Sequence, residues 1–204
     1  NRFPTEVTNY FSTLKVDLFP DNEKISVLDV GSCYNYFYQC PNSNKFQVVA
    51  LDLCPTHNTV YQGDFLKIQV GNSFRTQEEI LNLSQLPKDL TIIELPENTY
   101  DAVTFSLVLS YLPSWKERQE MITKARLLLI KNKQQNPHHK GLLVIADVPS
   151  LFAQSKNEFK GKVLPNSWIQ SICSQGFELV THQNPNLSHK VHIFVFCISY
   201  DNNE

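Results

Sequence analysis

Acids stand at the ends of three apolar runs, and their spacing suits the binding of a nucleoside. Asp29 lies within ISVLDVGSCYN (Ile25 to Asn35), Asp52 closes the run Phe46 to Leu51, and Asp64 follows Gly63 in Gly63-Asp64-Phe65. Gly31 is the pivot of the first stretch. A residue that turns the chain off a strand while its backbone N–H groups approach a ligand benefits from having no side chain. Asp52 comes 21 residues after Gly31, the separation at which an acid accepts hydrogen bonds from ribose hydroxyls. Asp64 is expected to accept from an adenine amino group, with Leu53 and Phe65 lining the faces of the ring. Asp29 is expected to anchor the loop by accepting its N–H groups, and Ser32 and Asn35 to do the same from the other side. Plainer readings stand beside these: a one-glycine loop is an ordinary strand end, Asp52 a solvated acid, and Gly-Asp a common turn pair.

The same residues separate two classes of cofactor. A dinucleotide needs a loop that nestles its pyrophosphate against a helix N-terminus, and this loop lacks both the glycines and a long following helix. S-adenosylmethionine has no phosphate and carries a positive sulfonium, so an acidic pocket suits it better. No His, Cys or carboxylate stands out as a catalytic group. His138 and His139 fall in a polar loop, and His182, His189 and His192 near the final strands read as surface or core histidines.

The elements that must hold these groups alternate between strand and helix patterns, which predicts an α/β, doubly wound, mostly parallel sheet. Strands are expected at Ile25 to Val30, Phe46 to Leu51, Thr59 to Gln62, Tyr100 to Phe105 and Gly141 to Val148. Phe177 to Thr181 and Val191 to Ile198 close the sheet as an antiparallel pair. Only about fifteen residues separate the first two strands, so that crossover is abbreviated. Amphipathic helices are predicted at Thr5 to Leu18, after Pro113-Ser114-Trp115, and at Ser167 to Ser174 with Gly176 as its cap. The second of these turns Met121, Ala125, Leu128 and Leu129 inward and Lys116, Arg118, Lys124 and Arg126 outward. Val70 to Asn98 reads as an insertion, with helical character at Gln77 to Leu86 and either a strand or a buried connection at Leu90 to Leu95.

At 204 residues, 42% hydrophobic and 19% charged, the composition is that of one globular core. A net charge of −2 gives no global basic field for a phosphate backbone. The outward cations of the middle helix, with the lysines of Lys131 to Lys140, are the one local patch that could serve RNA, and such a run is more often a solvated face. Five scattered cysteines, Cys33, Cys40, Cys54, Cys173 and Cys197, form no C-x-x-C pair and read as reduced intracellular thiols. No long apolar run or signal pattern points to a membrane. The chain opens on Asn1, which predicts a fragment or a processed form.

The runs VLDVGSCYN, Leu51-Asp52, Gly63-Asp64-Phe65-Leu66 and, above all, Phe105-Ser106-Leu107-Val108-Leu109-Ser110-Tyr111-Leu112-Pro113 resemble the seven-stranded class I methyltransferases. More narrowly they resemble the SAMTOR family, relatives of a fungal large-subunit rRNA adenine methyltransferase. The resemblance covers Ile25 to about Ile198 and implies a Rossmann-like methyltransferase domain over 25–204, preceded by the remnant of a helical region over 1–24. It implies an S-adenosylmethionine sensor that restrains TOR signalling by binding GATOR and KICSTOR when the metabolite is scarce. Such a sensor is cytoplasmic and recruited to the lysosomal surface through partners, with S-adenosylhomocysteine as a competing ligand. The cofactor set so implied is Asp29, Gly31, Ser32, Cys33, Asn35, Asp52, Leu53, Asp64, Phe65, Ser106 and Leu107. Tyr111, Trp115 and Trp168 are candidate anchors for a protein partner.

The alternative is an active methyltransferase on RNA or protein. Exocyclic-amine enzymes place an Asn or Asp, two prolines and an aromatic after the fourth strand, where this chain has Ser106-Leu107-Val108-Leu109. That departure counts against exocyclic-amine chemistry and leaves ring-nitrogen methylation open. Cys33 and Asn35 also stand where many active members have glycine, which favours binding over catalysis.

Overall fold

Strand β1 (Ile25–Val30) is buried at every position, as a central strand covered on both faces must be. The computed structural model describes residues 24–39, 43–71, 91–131, 140–148, 151, 166–183 and 191–199. Parallel partners flank β1 on both sides, β2 (Phe46–Asp52) and, beyond a crossover, β6 (Ala102–Ser106). The two-residue β3 (Tyr61–Gln62) extends the sheet past β2, and β7 (Leu142–Asp147) extends it past β6. The final strands β8 (Phe177–Gln183) and β9 (His192–Ile198) run antiparallel, with β9 inserted between β7 and β8. The resulting order, β3-β2-β1-β6-β7-β9-β8, is the expected seven-stranded, mostly parallel sheet.

Alternation within the inner strands assigns each face its core. Leu143 and Ile145 of β7 and Phe194, Phe196 and Ile198 of β9 join the cluster that includes residues of α1 (Trp115–Leu128) and α2 (Asn166–Cys173). Their neighbours Leu142, Val144, Ala146, Ile193, Val195 and Cys197 pack on the opposite face with Phe37 and Phe46. Both faces need apolar cover, which is why these strands read as continuous apolar runs rather than alternating ones. At the amino edge Asp101 ties β6 to β1, accepting the Ser26 amide at 2.7 Å and the Ser26 hydroxyl at 2.8 Å.

The abbreviated crossover is present as two short 3-10 turns, Tyr36–Gln39 and Ser43–Lys45. The insertion contributes a separate two-stranded parallel pair, β4 (Gln69–Gly71) with β5 (Glu94–Pro96). The helices expected at 5–18 and 77–86 lie outside the described residues.

Helix α1 starts at a capping box: the Glu117 amide donates to the Ser114 hydroxyl, and Glu117 accepts from the Ser114 amide. Met121, Ala125 and Leu128 are buried as expected, together with Ile122, and Leu129 is buried just past the helix end. The basic face of α1 is not the expected one. Lys116 is exposed, but Arg118 and Lys124 turn back onto main-chain carbonyls. Arg126 lies against Gly176, whose φ of +86° and contact with the guanidinium leave no room for a Cβ, since one would meet Nε at 2.4 Å. The helical period identifies the inward stripe but not how far a long flanking side chain reaches around it.

Candidate ligand-binding site

Beyond the carboxyl ends of β1 and β2 opens a cleft of about 410 Å³, within the ~300–1,000 Å³ usual for small-ligand sites. Six of the eleven candidate residues line it: Gly31, Asp52, Leu53, Asp64, Phe65 and Leu107. This is the position at which open α/β sheets hold ligands, beside the strand where the order reverses.

The loop after β1 is built differently from the expectation. Gly31 and Ser32 donate their amides to the Leu51 carbonyl, at 2.8 and 3.1 Å, and the Cys33 amide donates to Asp52 Oδ2 at 3.0 Å. Three successive N–H groups thus bind the end of β2 instead of reaching a ligand. What requires glycine at position 31 is φ of +78° together with Val108, whose Cγ2 would lie 2.9 Å from an added Cβ.

Asp52 bridges two loops, since its Oδ1 also accepts the Cys54 amide at 2.8 Å. Each carboxylate oxygen keeps a further lone pair. Asp64 accepts the Leu66 amide at 3.2 Å and pairs with Lys67 Nζ at 2.9 Å. That Lys67 ammonium holds the Asp64 carboxyl below the usual carboxylate range. Among the described residues lining the cleft, Asp52 and Asp64 are the only charged side chains; the rest of the wall is mainly apolar, with Val30, Leu51, Leu66, Val108, Leu112 and Met121. Leu53 and Tyr111 stand at the mouth, 61% and 83% exposed.

Five candidates are not brought to the cleft. Asp29 is buried and receives the Thr104 hydroxyl, so hydroxyls rather than loop amides hold it. Burial pushes its carboxyl up, opposed by the hydroxyls of Thr104 and Ser32. Ser32, also buried, accepts the Asn35 amide at 3.2 Å. Cys33 and Asn35 adopt φ of 52° and 50°, the left-handed conformation that glycine takes without cost. The Cys33 thiol lies 3.1 Å from the Thr56 hydroxyl. Asn35 donates to the Thr59 carbonyl and lines a different cleft, of about 570 Å³, along the start of β2. Ser106 ends β6 half-buried, outside the lining.

Leu107 holds φ of 58° while its amide donates to Ala146 at 2.8 Å. A leucine in that conformation is strained by ~1–3 kcal/mol, a strain that clusters at functional sites. Nothing in an amino-acid pattern reports it. Asp147, missed in the sequence, ends β7 fully buried and accepts the Ser110 amide at 3.1 Å, fixing the loop that carries Leu107 to Leu112. An acid closing an apolar run was the signal that marked Asp52, and it marks Asp147 equally. Met121 could not be told from a core residue, because a helix presents a cleft floor and a core with one period.

No family model matches the chain. Over 173 residues, 85% of the chain, it is 32% identical to a Xenopus laevis protein named S-adenosylmethionine sensor upstream of mTORC1. A protein of the same name from Danio rerio is 31% identical over the same length. Over that stretch the chain belongs to their family. The chain spans only 38% and 39% of the length of these relatives. The fold of this sensor-family chain is that of the class I methyltransferases. The N-methyltransferase NodS from Bradyrhizobium japonicum superposes with a TM-score of 0.54 at 15% identity, covering 98% of both chains. The [4+2]-cyclase SpnF superposes with 0.57 at 12% identity, covering 97% of this chain and 81% of its own. A fold shared by a methyltransferase and a cyclase does not by itself specify methyl transfer.

Proposed function

We propose that the cleft binds S-adenosylmethionine and that the protein acts as a sensor of that metabolite in nutrient signalling through TOR. The observation that carries this reading is the charge of the site: two carboxylates in a mainly apolar cleft, beside a loop whose amides are already bonded within the protein. Such a site offers no cradle for a phosphate, and because Lys67 offsets the charge of Asp64, the field that favours a sulfonium is chiefly that of Asp52. The residues fit the group, since Asp52 retains lone pairs for ribose hydroxyls, Asp64 for the adenine amine, and Leu53 and Phe65 offer apolar surface to the ring. S-adenosylhomocysteine, which lacks the sulfonium charge, is the competing ligand. The names of these relatives support the sensing role.

GATOR- and KICSTOR-type assemblies are the proposed partners, met in the cytoplasm and at the lysosomal surface, through a face whose arrangement depends on occupancy. The division into a helical segment over 1–24 and a binding domain over 25–204 belongs to the same proposal. RNA is disfavoured, because Arg118 and Lys124 are committed to main-chain carbonyls.

Calorimetry with S-adenosylmethionine on the wild type and on Asp52→Ala tests the site. Loss of a charge-assisted hydrogen bond of about 1.5–3 kcal/mol weakens binding by roughly 10- to 150-fold; unchanged affinity removes Asp52 from the site. Incubation with labelled cofactor, total RNA and cell protein separates sensor from enzyme, since robust transfer to a defined product would sink the pure-sensor reading.

A further inference from the structure

Helix α1 carries Arg118, Met121 and Lys124 at intervals of three residues, and all three meet the walls of the cleft. Met121 lines it directly. Lys124 Nζ donates to the carbonyls of Phe65 at 2.8 Å, Leu66 at 2.8 Å and Ile68 at 2.7 Å. The same ammonium lies 5.6 Å from the centre of the Phe65 ring. On the other side Arg118 Nη2 donates to the Leu112 carbonyl at 2.8 Å. Phe65, Leu66 and Leu112 are themselves cleft residues.

An ammonium has three N–H donors, and here all three are used on one turn of backbone. That turn is also closed from within, because the Asp64 carbonyl accepts the amides of Lys67 at 2.8 Å and Ile68 at 2.9 Å. Asp64 therefore holds the amide side of the turn and Lys124 the carbonyl side. The turn presents Asp64 and Phe65 to the cleft, and hydrogen bonding there tolerates displacements of only a few tenths of an ångström.

We propose that Lys124 is the positioning residue for the adenine side of the site: its grip on residues 65, 66 and 68 sets where Asp64 and Phe65 meet the ring, while Arg118 holds the facing wall through Leu112. This rests on the reading of the cleft as an adenosyl site. It assigns a task to a cation that the sequence pattern places on the solvent side of the helix.

The test compares wild type, Lys124→Met and Lys116→Met in two measurements. The first is calorimetry with S-adenosylhomocysteine and with S-inosylhomocysteine, in which the 6-amino group is replaced by an oxo group. The second is amide hydrogen exchange over residues 64–68 without ligand. Wild type is expected to prefer adenine over hypoxanthine by about tenfold. Lys124→Met is expected to lose most of that preference and to exchange the amides of Leu66, Lys67 and Ile68 at least about tenfold faster. Lys116→Met, the same change at an exposed position of the same helix, leaves both as in wild type. A Lys124→Met protein that keeps its preference overturns the proposal, whatever its exchange. Should that variant not fold, Lys124→Arg keeps the charge but replaces a tetrahedral donor with a planar one, and the same losses are expected from it. If wild type binds neither compound, the adenosyl reading fails, and the exchange result alone decides whether Lys124 holds the turn.

Discussion

The centre of the sheet and its carboxyl rim use the same residue type in opposite ways. Asp29 and Asp52 lie on adjacent strands, yet Asp29 is sealed between β1 and β6 with the Thr104 hydroxyl on its carboxyl. Asp52, one step beyond the pairing of β1 with β2, is half-buried and holds two loop amides. A sealed carboxyl has its hydrogen bonds made within the protein, so it has little left for a ligand. A rim carboxylate keeps lone pairs facing solvent, so it has something left for a ligand. His182 and His192, though solvent reaches His182, likewise use ring nitrogens on each other: the rings stack, with Nε2 and Nδ1 2.7 Å apart.

The largest test of this division is Thr104→Val. Removing the hydroxyl leaves a buried carboxyl short of a partner, and urea unfolding should report a loss of about 1–3 kcal/mol. Affinity for S-adenosylhomocysteine should stay within about threefold. A variant of normal stability but broken binding would erase the distinction between centre and rim.

Gly31→Ala sharpens the boundary between the two regions, because Gly31 belongs to both. The alanine pays for a positive φ and for contact with Val108, so stability should fall by about 1–3 kcal/mol and affinity with it. Adding Val108→Ala removes the contact but not the φ, and only part of the stability should return. Full recovery would show that crowding alone excludes a side chain there.

The smallest effect concerns the histidine pair and is read as a pH profile. Burial, and for His182 the neighbouring His192, pushes both rings below the usual value, His182 to about 4. The unfolded chain therefore takes up protons that the folded one refuses. Their contribution to stability is complete above about pH 6.5 and is lost as pH falls toward 4. Unfolding midpoints of wild type should drop across that window, and His182→Gln should show a shallower drop. Solvent reaches His182, which keeps the effect small. An unaltered slope would mean that other groups govern the acid limb.

Much of the architecture was legible before any coordinates. The continuous apolar runs marked the inner strands because burial on both faces removes polar positions, and Pro113-Ser114-Trp115 marked the start of α1. The roles of individual polar residues were less legible. Asp29 was expected to hold loop amides and holds Thr104, a residue 75 positions away. Lys124 was expected in solvent and binds carbonyls 56 to 59 positions away.

By itself the sequence determined which segments become strands of the seven-stranded sheet, the acids that end them and the glycine at which the first loop turns, because these depend on period, propensity and neighbours along the chain. Tertiary structure alone decided which acid is sealed and which faces the cleft, that the loop amides turn to β2, and that a surface-patterned lysine braces the turn that follows Asp64. Those outcomes depend on partners brought together by packing, and a hydrogen bond between distant residues leaves no mark in the local pattern of either one.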